Sequence, residues 1–185
     1  MPSTKDTPPY FHGLAGFACK RNRLYRVYVR PDELIFIWAG DPVQTAESAR
    51  AAGVHHGVLG VLIASLIAKA VDSTKKNAAR KETLDSTPLE DLVRDDKRNI
   101  RALIREFDEV KIGPRSPRHA TMWGDQSHQA VLILRHRTLG KYRIGLASVE
   151  DVRVAVAELP RVFGSICDIG IEWSDREQKF VKKTI

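Results

Sequence analysis

Lys20, Arg21, Arg23 and Arg26 crowd around one turn, in a stretch from Lys20 to Arg30 that holds five bases and no acid. Such a cluster offers one kind of chemistry, the binding of an anion by guanidinium and ammonium groups through charge-assisted hydrogen bonds. We take these four residues as the candidate anion-binding set. An anionic lipid, a nucleic-acid phosphate or an acidic protein surface would be attracted equally well, and an ordinary solvated turn is the plain alternative. Other chemistry is poorly supplied. His55 and His56 are adjacent, so on a helix they point about 100° apart and cannot easily serve one metal. Asp95-Asp96 and Asp108-Glu109 are paired in sequence, but Lys and Arg lie close by, as on charged surface. No glycine-rich phosphate loop or Gly-x-Ser-x-Gly turn occurs. We therefore expect no catalytic residue, no metal and no cofactor, with an enzyme lacking any recognisable motif held as an alternative.

The basic turn must be carried by strands. Leu24 to Arg30 alternates, with Tyr25, Val27 and Val29 on one face and Arg26, Tyr28 and Arg30 on the other, as in a half-buried strand. Before it, Leu14 to Lys20 is β-compatible. After the Pro31-Asp32 turn, Glu33 to Ala39 is almost continuously apolar, which implies burial on both faces, one against the core and the other against the apolar helix expected over 53–71. Further on, Thr87-Pro88-Leu89-Glu90 starts a short helix to about Asp95. Ile100, Leu103, Ile104 and Phe107 have helical spacing, so we expect a turn or helix to about Glu106, followed by a strand over 108–112. Residues 120–123 read as a short strand. The runs 130–136 and 141–146 read as a hairpin. Ser148-Val149-Glu150-Asp151 reads as a capping box opening an amphipathic helix with Val149, Val152, Val156, Leu159 and Phe163 on one face. Pro160 should kink or cut that helix near its end. A last strand is expected within 166–173, and a loose polar tail from Ser174.

Between these two β-rich regions lies the chain's one long apolar run, Gly53 to Val71. Its small residues Gly53, Gly57, Gly60, Ala64 and Ala68 recur at helical spacing and form a stripe that would let another backbone approach closely. Glycines inside a helix cost about 1 kcal/mol each against alanine, so the stripe implies close packing that compensates. The run is shorter than the roughly 20 apolar residues that cross a bilayer. Its large side chains cover more than one face, so we expect a homo-oligomer with this helix in or near the interface.

A set of antiparallel strands finished by one amphipathic helix resembles the pleckstrin-homology-like (PH-like) split barrel, and Tyr25 to Phe36 also resembles uncharacterised bacterial proteins with a glycine-rich helix after the first strands. The resemblance implies an α+β fold: a PH-like antiparallel split β-barrel with a C-terminal capping helix and an inserted apolar helix. Its boundaries would be a flexible N-terminus over 1–9, one domain over 10–173 with a helical insertion over 43–95, and a polar tail over 174–185. Many PH domains hold anionic head groups with basic residues on the first strand pair, where Lys20, Arg21, Arg23 and Arg26 fall. The resemblance implies no known activity.

Composition agrees with this class. The chain has 185 residues, a net charge of +7 and a pI near 9.6, which suits one domain with an anionic partner. Cys19 and Cys167 form no disulfide framework or zinc motif. The N-terminus has no apolar core of the kind a signal peptide needs, so a cytoplasmic or membrane-peripheral location is expected. The leading expectation is a non-enzymatic binding or scaffold module. The runner-up is a nucleic-acid-binding protein using Tyr25, Tyr28 and Tyr142 among basic strands.

Overall fold

Runs of β-branched and aromatic residues broken by Gly, Pro and Asp favour strands joined by tight turns. The structure, a computed structural model, describes residues 7–16, 23–40, 79–115, 129–146 and 148–184. Lys20, Arg21, His55, His56, Cys19, the expected strand at 120–123 and the whole stripe Gly53, Gly57, Gly60, Ala64 and Ala68 lie outside the described residues.

The strands are β1 (Tyr10–Gly16), β2 (Arg23–Val29), β3 (Glu33–Gly40), β4 (Ile100–Leu103), β5 (Phe107–Pro114), β6 (Ala130–His136), β7 (Gly140–Leu146), β8 (Cys167–Ile169), β9 (Ile171–Ser174) and β10 (Lys179–Lys182). The helices are α1 (Leu89–Asp95) and α2 (Val149–Phe163), and residues 79–86 are also helical. Eight strands form one sheet in the order β4-β3-β2-β1-β7-β6-β5-β8, while β9 and β10 form a separate ribbon. Every pairing is antiparallel except β5 with β8.

The expected barrel is corrected, because the sheet has two ends, β4 and β8, and does not close. It does curl. Phe36 on β3 stacks on Tyr142 of β7 with ring centroids 6.0 Å apart, although three strand spacings in a flat sheet would separate them by about 14 Å. The two halves of the sheet thus line one core, and α2 adds Val152, Ala155, Leu159 and Phe163 to it. Val156 is only partly buried.

Ser148 caps α2 by accepting the Asp151 backbone N–H at 3.0 Å. The Asp151 carboxylate reaches back with one oxygen to accept the Ser148 hydroxyl, and with the other it accepts the His12 backbone N–H at 2.6 Å, which ties α2 to β1. Pro160 does not end the helix, which runs on to Phe163. Gly164, at φ +56°, closes it by donating its N–H to the Pro160 carbonyl.

Four local expectations change. Residues 100–103 are strand, with only Ile104–Glu106 as a 3-10 turn; a spacing that fits a helix also fits a strand in which Ala102 enters the core while Arg101 pairs with Glu33. The 166–173 run breaks at Gly170 into β8 and β9. The tail is structured, because Phe180 on β10 meets Trp173 on β9 at 5.1 Å. Finally, β2 is buried on both faces rather than one. Leu84 and Leu92, from residues 79–86 and α1, pack on Tyr28, Ile35 and Ile37.

Candidate anion-binding site

Antiparallel pairing sets the start of β2 beside the end of β3, with Tyr25 opposite Trp38. Arg23, the first residue of β2, hydrogen-bonds the Tyr25 hydroxyl, whose pKa burial pushes up and Arg23 pulls back. That hydroxyl lies 3.4 Å from the Arg98 carbonyl, to which it donates. Two further guanidinium groups meet here. Arg98 lies over the Trp38 ring at 3.2 Å from its centroid, and Arg80 at 5.5 Å, both within reach of a cation–π attraction. Three elements far apart in sequence therefore deliver three arginines to one end of one strand pair.

Carboxylates and backbone hold this cluster in place. Asp96 accepts the Arg98 Nε at 2.8 Å and the Arg98 backbone N–H at 2.9 Å, with a second side-chain bond from Nη2. The Arg98 guanidinium holds the Asp96 carboxyl well below its usual range, at about 2. Arg80 donates Nε to the Trp38 carbonyl at 3.2 Å and Nη1 to Asp95 at 3.0 Å. Asn99 accepts the Trp38 backbone N–H at 2.8 Å and donates to the Leu92 carbonyl at 2.6 Å. Among the described residues three guanidinium groups face two carboxylates, an excess of positive charge.

It also carries unused donors. Trp38 Nε1 and Arg80 Nη2 are both buried and have no hydrogen-bond partner, a costly state that native structures rarely leave unexplained. The third such atom among the described residues, His136 Nε2, at least has the Glu106 carboxylate 3.1 Å away. Donors without acceptors, beside excess positive charge, suit an oxyanion.

Of the four expected residues, only Arg23 is placed in this cluster. Arg26 requires a correction, because it does not sit on an exposed basic surface. Its side chain is 3% exposed and its Nη1 lies 2.7 Å from Asp85 Oδ1. Its Nε donates to His12 Nε2 at 3.2 Å, and its guanidinium packs over the Tyr10 ring. Position explains this: alternation turns Arg26 toward the face that residues 79–86 cover.

The adjacent acids do not act as pairs. Asp95 bonds Arg80, Asp96 bonds Arg98, Asp108 bonds Arg137 and Glu109 bonds Arg135, each carboxylate with its own guanidinium. Among the described residues no three His, Cys, Asp or Glu side chains are grouped to hold a metal. No described helix is long and apolar enough to cross a membrane. Burial pushes the Cys167 thiol up to about 11, far from a reactive thiolate.

No family model matches the chain, and no curated protein or solved structure matches it either. The site thus rests on its own geometry. Arg80, Arg98 and Trp38 were not legible as members, since Arg80 stands in a polar linker, Arg98 in a mostly acidic block and Trp38 in an apolar run. The only sequence signal was Trp38 itself, an indole with an N–H to satisfy near the end of a strand otherwise free of polar side chains after Glu33.

Proposed function

We propose that the chain is a PH-like binding module that takes an anionic ligand where Arg23, Arg80 and Arg98 surround Trp38, and that self-associates through residues 53–71. One observation carries the ligand reading: the two buried donors, Trp38 Nε1 and Arg80 Nη2, that lack an acceptor beside excess positive charge. The PH-like reading is supported by β1 to β7 in one curled sheet followed by α2, whose apolar face fills the core. A cytoplasmic, membrane-peripheral module with this site would recognise the phosphate of an acidic lipid.

Co-sedimentation with vesicles of phosphatidylcholine, with and without phosphatidylglycerol, tests the reading. The parent protein binds the acidic vesicles alone, and the double variant Arg23→Glu, Arg80→Glu loses at least tenfold in affinity, since each basic group near an anionic surface is worth about 1 kcal/mol. Circular dichroism checks that the variant is folded. Equal retention of both proteins overturns the site, and binding to a single-stranded oligonucleotide but not to vesicles replaces the lipid with a nucleic acid. Light scattering that gives a monomer at micromolar concentration overturns self-association.

A further inference from the structure

Among the described residues only two large apolar side chains are well exposed, Leu139 at 45% and Ile166 at 39%. Exposed apolar residues scattered singly over a surface are ordinary. These two are not scattered. Phe107, the first residue of β5, meets the His136 ring edge-to-face at 4.8 Å and the Phe163 ring edge-to-face at 5.3 Å, which joins the end of β6 to the end of α2. Leu139 follows His136 by three residues in the β6–β7 loop, and Ile166 follows Phe163 by three in the 3-10 turn Gly164–Ile166. The two turns therefore lie at one end of the fold. The loop that carries Leu139 is pinned: the Thr138 and Leu139 backbone N–H groups both donate to Nδ1 of the buried His136, at 3.3 and 3.2 Å, and Gly140 turns the chain back at φ +82°. The exposure of Leu139 is thus fixed by the fold.

Exposed bases border these two side chains. Arg105, Arg137 and Lys141 stand at this end with two acids, Glu106 and Asp108. Arg137 donates to Asp108 at 2.8 Å and the Glu106 carboxylate lies 3.1 Å from His136 Nε2, while Arg105 and Lys141 have no ion-pair partner among the described residues. We propose that this end is a membrane-contact surface, where Leu139 and Ile166 enter the interface of an acidic bilayer and Arg105, Arg137 and Lys141 lie at the level of the lipid phosphates. Area and charge together select this occupant. Two half-exposed side chains fall far short of the roughly 800 Å² that each partner buries in a stable protein interface, whereas shallow contact with a bilayer needs only a small apolar area backed by basic groups. Aliphatic side chains offer no ring on which a base can stack, which sets single-stranded nucleic acid aside. The surface uses none of Arg23, Arg80, Arg98 and Trp38, so it stands apart from the anion-binding reading.

The test uses the full chain with Cys19 and Cys167 replaced by Ser and one new cysteine, Leu139→Cys or Ile166→Cys, labelled with a polarity-sensitive fluorophore. Vesicles of phosphatidylcholine containing phosphatidylglycerol should shift the emission to the blue at both positions, and phosphatidylcholine alone should not. In the otherwise unaltered chain, Leu139→Ser combined with Ile166→Ser changes only exposed positions; it should stay folded by circular dichroism and bind acidic vesicles at least tenfold more weakly, as lost apolar contact requires. Labels that still shift in an Arg23→Glu, Arg80→Glu protein that sediments as the parent does would support this surface and overturn the arginine site. Emission unchanged at both positions in the presence of acidic vesicles overturns the proposal, and if the protein nevertheless sediments with them the arginine site keeps the contact. A blue shift that grows with protein concentration in the absence of lipid also overturns it and gives the surface to a second copy.

Discussion

Arg26 and Arg80 are two arginines packed on the same pair of strands, and they are treated in opposite ways. Around Arg26, acceptors meet the donors: the Asp85 carboxylate at 2.7 Å, the Leu84 carbonyl at 3.3 Å, the His12 ring nitrogen at 3.2 Å and the Tyr28 hydroxyl at 3.5 Å. Burial works to lower its pKa, and the bonds to Tyr28 and Asp85 more than reverse that, so the net direction is up. Around Arg80, Nε and Nη1 have acceptors but Nη2 does not, and the neighbouring Trp38 Nε1 is in the same state. A satisfied buried charge holds parts of a fold together. An unsatisfied one next to excess charge is a donor whose acceptor the described residues do not supply.

The largest effect that sharpens this contrast falls on Arg26. Replacing it by methionine, Arg26→Met, removes the tie between β2 and residues 79–86 and the packing on Tyr10. Losing one side of a buried ion pair typically costs about 3 to 5 kcal/mol; Asp85 is 52% exposed and regains water, so we expect about 2 to 3 kcal/mol. Urea unfolding should show a lower midpoint with an unchanged slope, while binding to acidic vesicles, measured on the folded protein, stays within twofold of the parent. A folded Arg26→Met protein that keeps its stability and loses vesicle binding would reverse the roles given to the two arginines.

The next effect is a pH dependence at the other end. Asp96 sits at about 2 in the folded protein because of Arg98, whereas an unfolded aspartate titrates near 3.9. Its folded pKa is depressed, so its contribution is fully present above about pH 4 and fades as the pH falls toward about 2. Its size is at most about 2 to 3 kcal/mol, from the difference between 3.9 and about 2 at 1.36 kcal/mol per pKa unit. Asp96→Asn should remove that part of the acid sensitivity and flatten the stability profile between about pH 2 and 4. It also adds one net positive charge beside Arg98, so vesicle binding at neutral pH should tighten severalfold. Acid denaturation curves of the variant that superimpose on the parent's would show that Asp96 is not held by Arg98.

The sequence was informative where a pattern is local and ambiguous where partners are distant. Alternation located β2, two runs joined by a hairpin loop located β6 and β7, and the Ser148 to Asp151 box located the start of α2, because a strand, a tight turn or a cap is decided within a few residues. Ile100 to Leu103 misled, since its helical spacing is equally that of an edge strand, and only pairing with Glu33–Phe36 decides between them. Arg26 misled for a related reason: alternation placed it correctly on the outer face, but whether that face meets water depends on Leu84 and Leu92, more than fifty residues later. The site combines both cases. Arg23 was legible in the basic turn, while Arg80, Arg98 and Trp38 are brought to it by the return of the chain after residue 78 and by the hold of Asn99 on the Trp38 backbone.

The smallest effect on stability is the sharpest test of what an unpartnered donor means. Trp38→Phe keeps an aromatic ring beneath Arg98 and removes the Nε1–H that has no acceptor. An unsatisfied buried donor costs about 1 to 3 kcal/mol, and the smaller ring gives back a similar amount through lost packing. Stability should therefore change by less than about 1 kcal/mol in either direction. Affinity should not be neutral: if Nε1 donates to the bound oxyanion, acidic-vesicle binding falls about tenfold, as for a lost hydrogen bond to a charged group. Salt separates this from the arginines. Log affinity falls with log salt in proportion to the charges engaged, so Trp38→Phe should lower the affinity at every salt concentration and leave the slope unchanged, whereas Arg80→Glu should make the slope shallower. Parent and Trp38→Phe curves that coincide across the whole salt range would mean that the indole N–H is strain stored in the fold and not a donor held ready for a ligand.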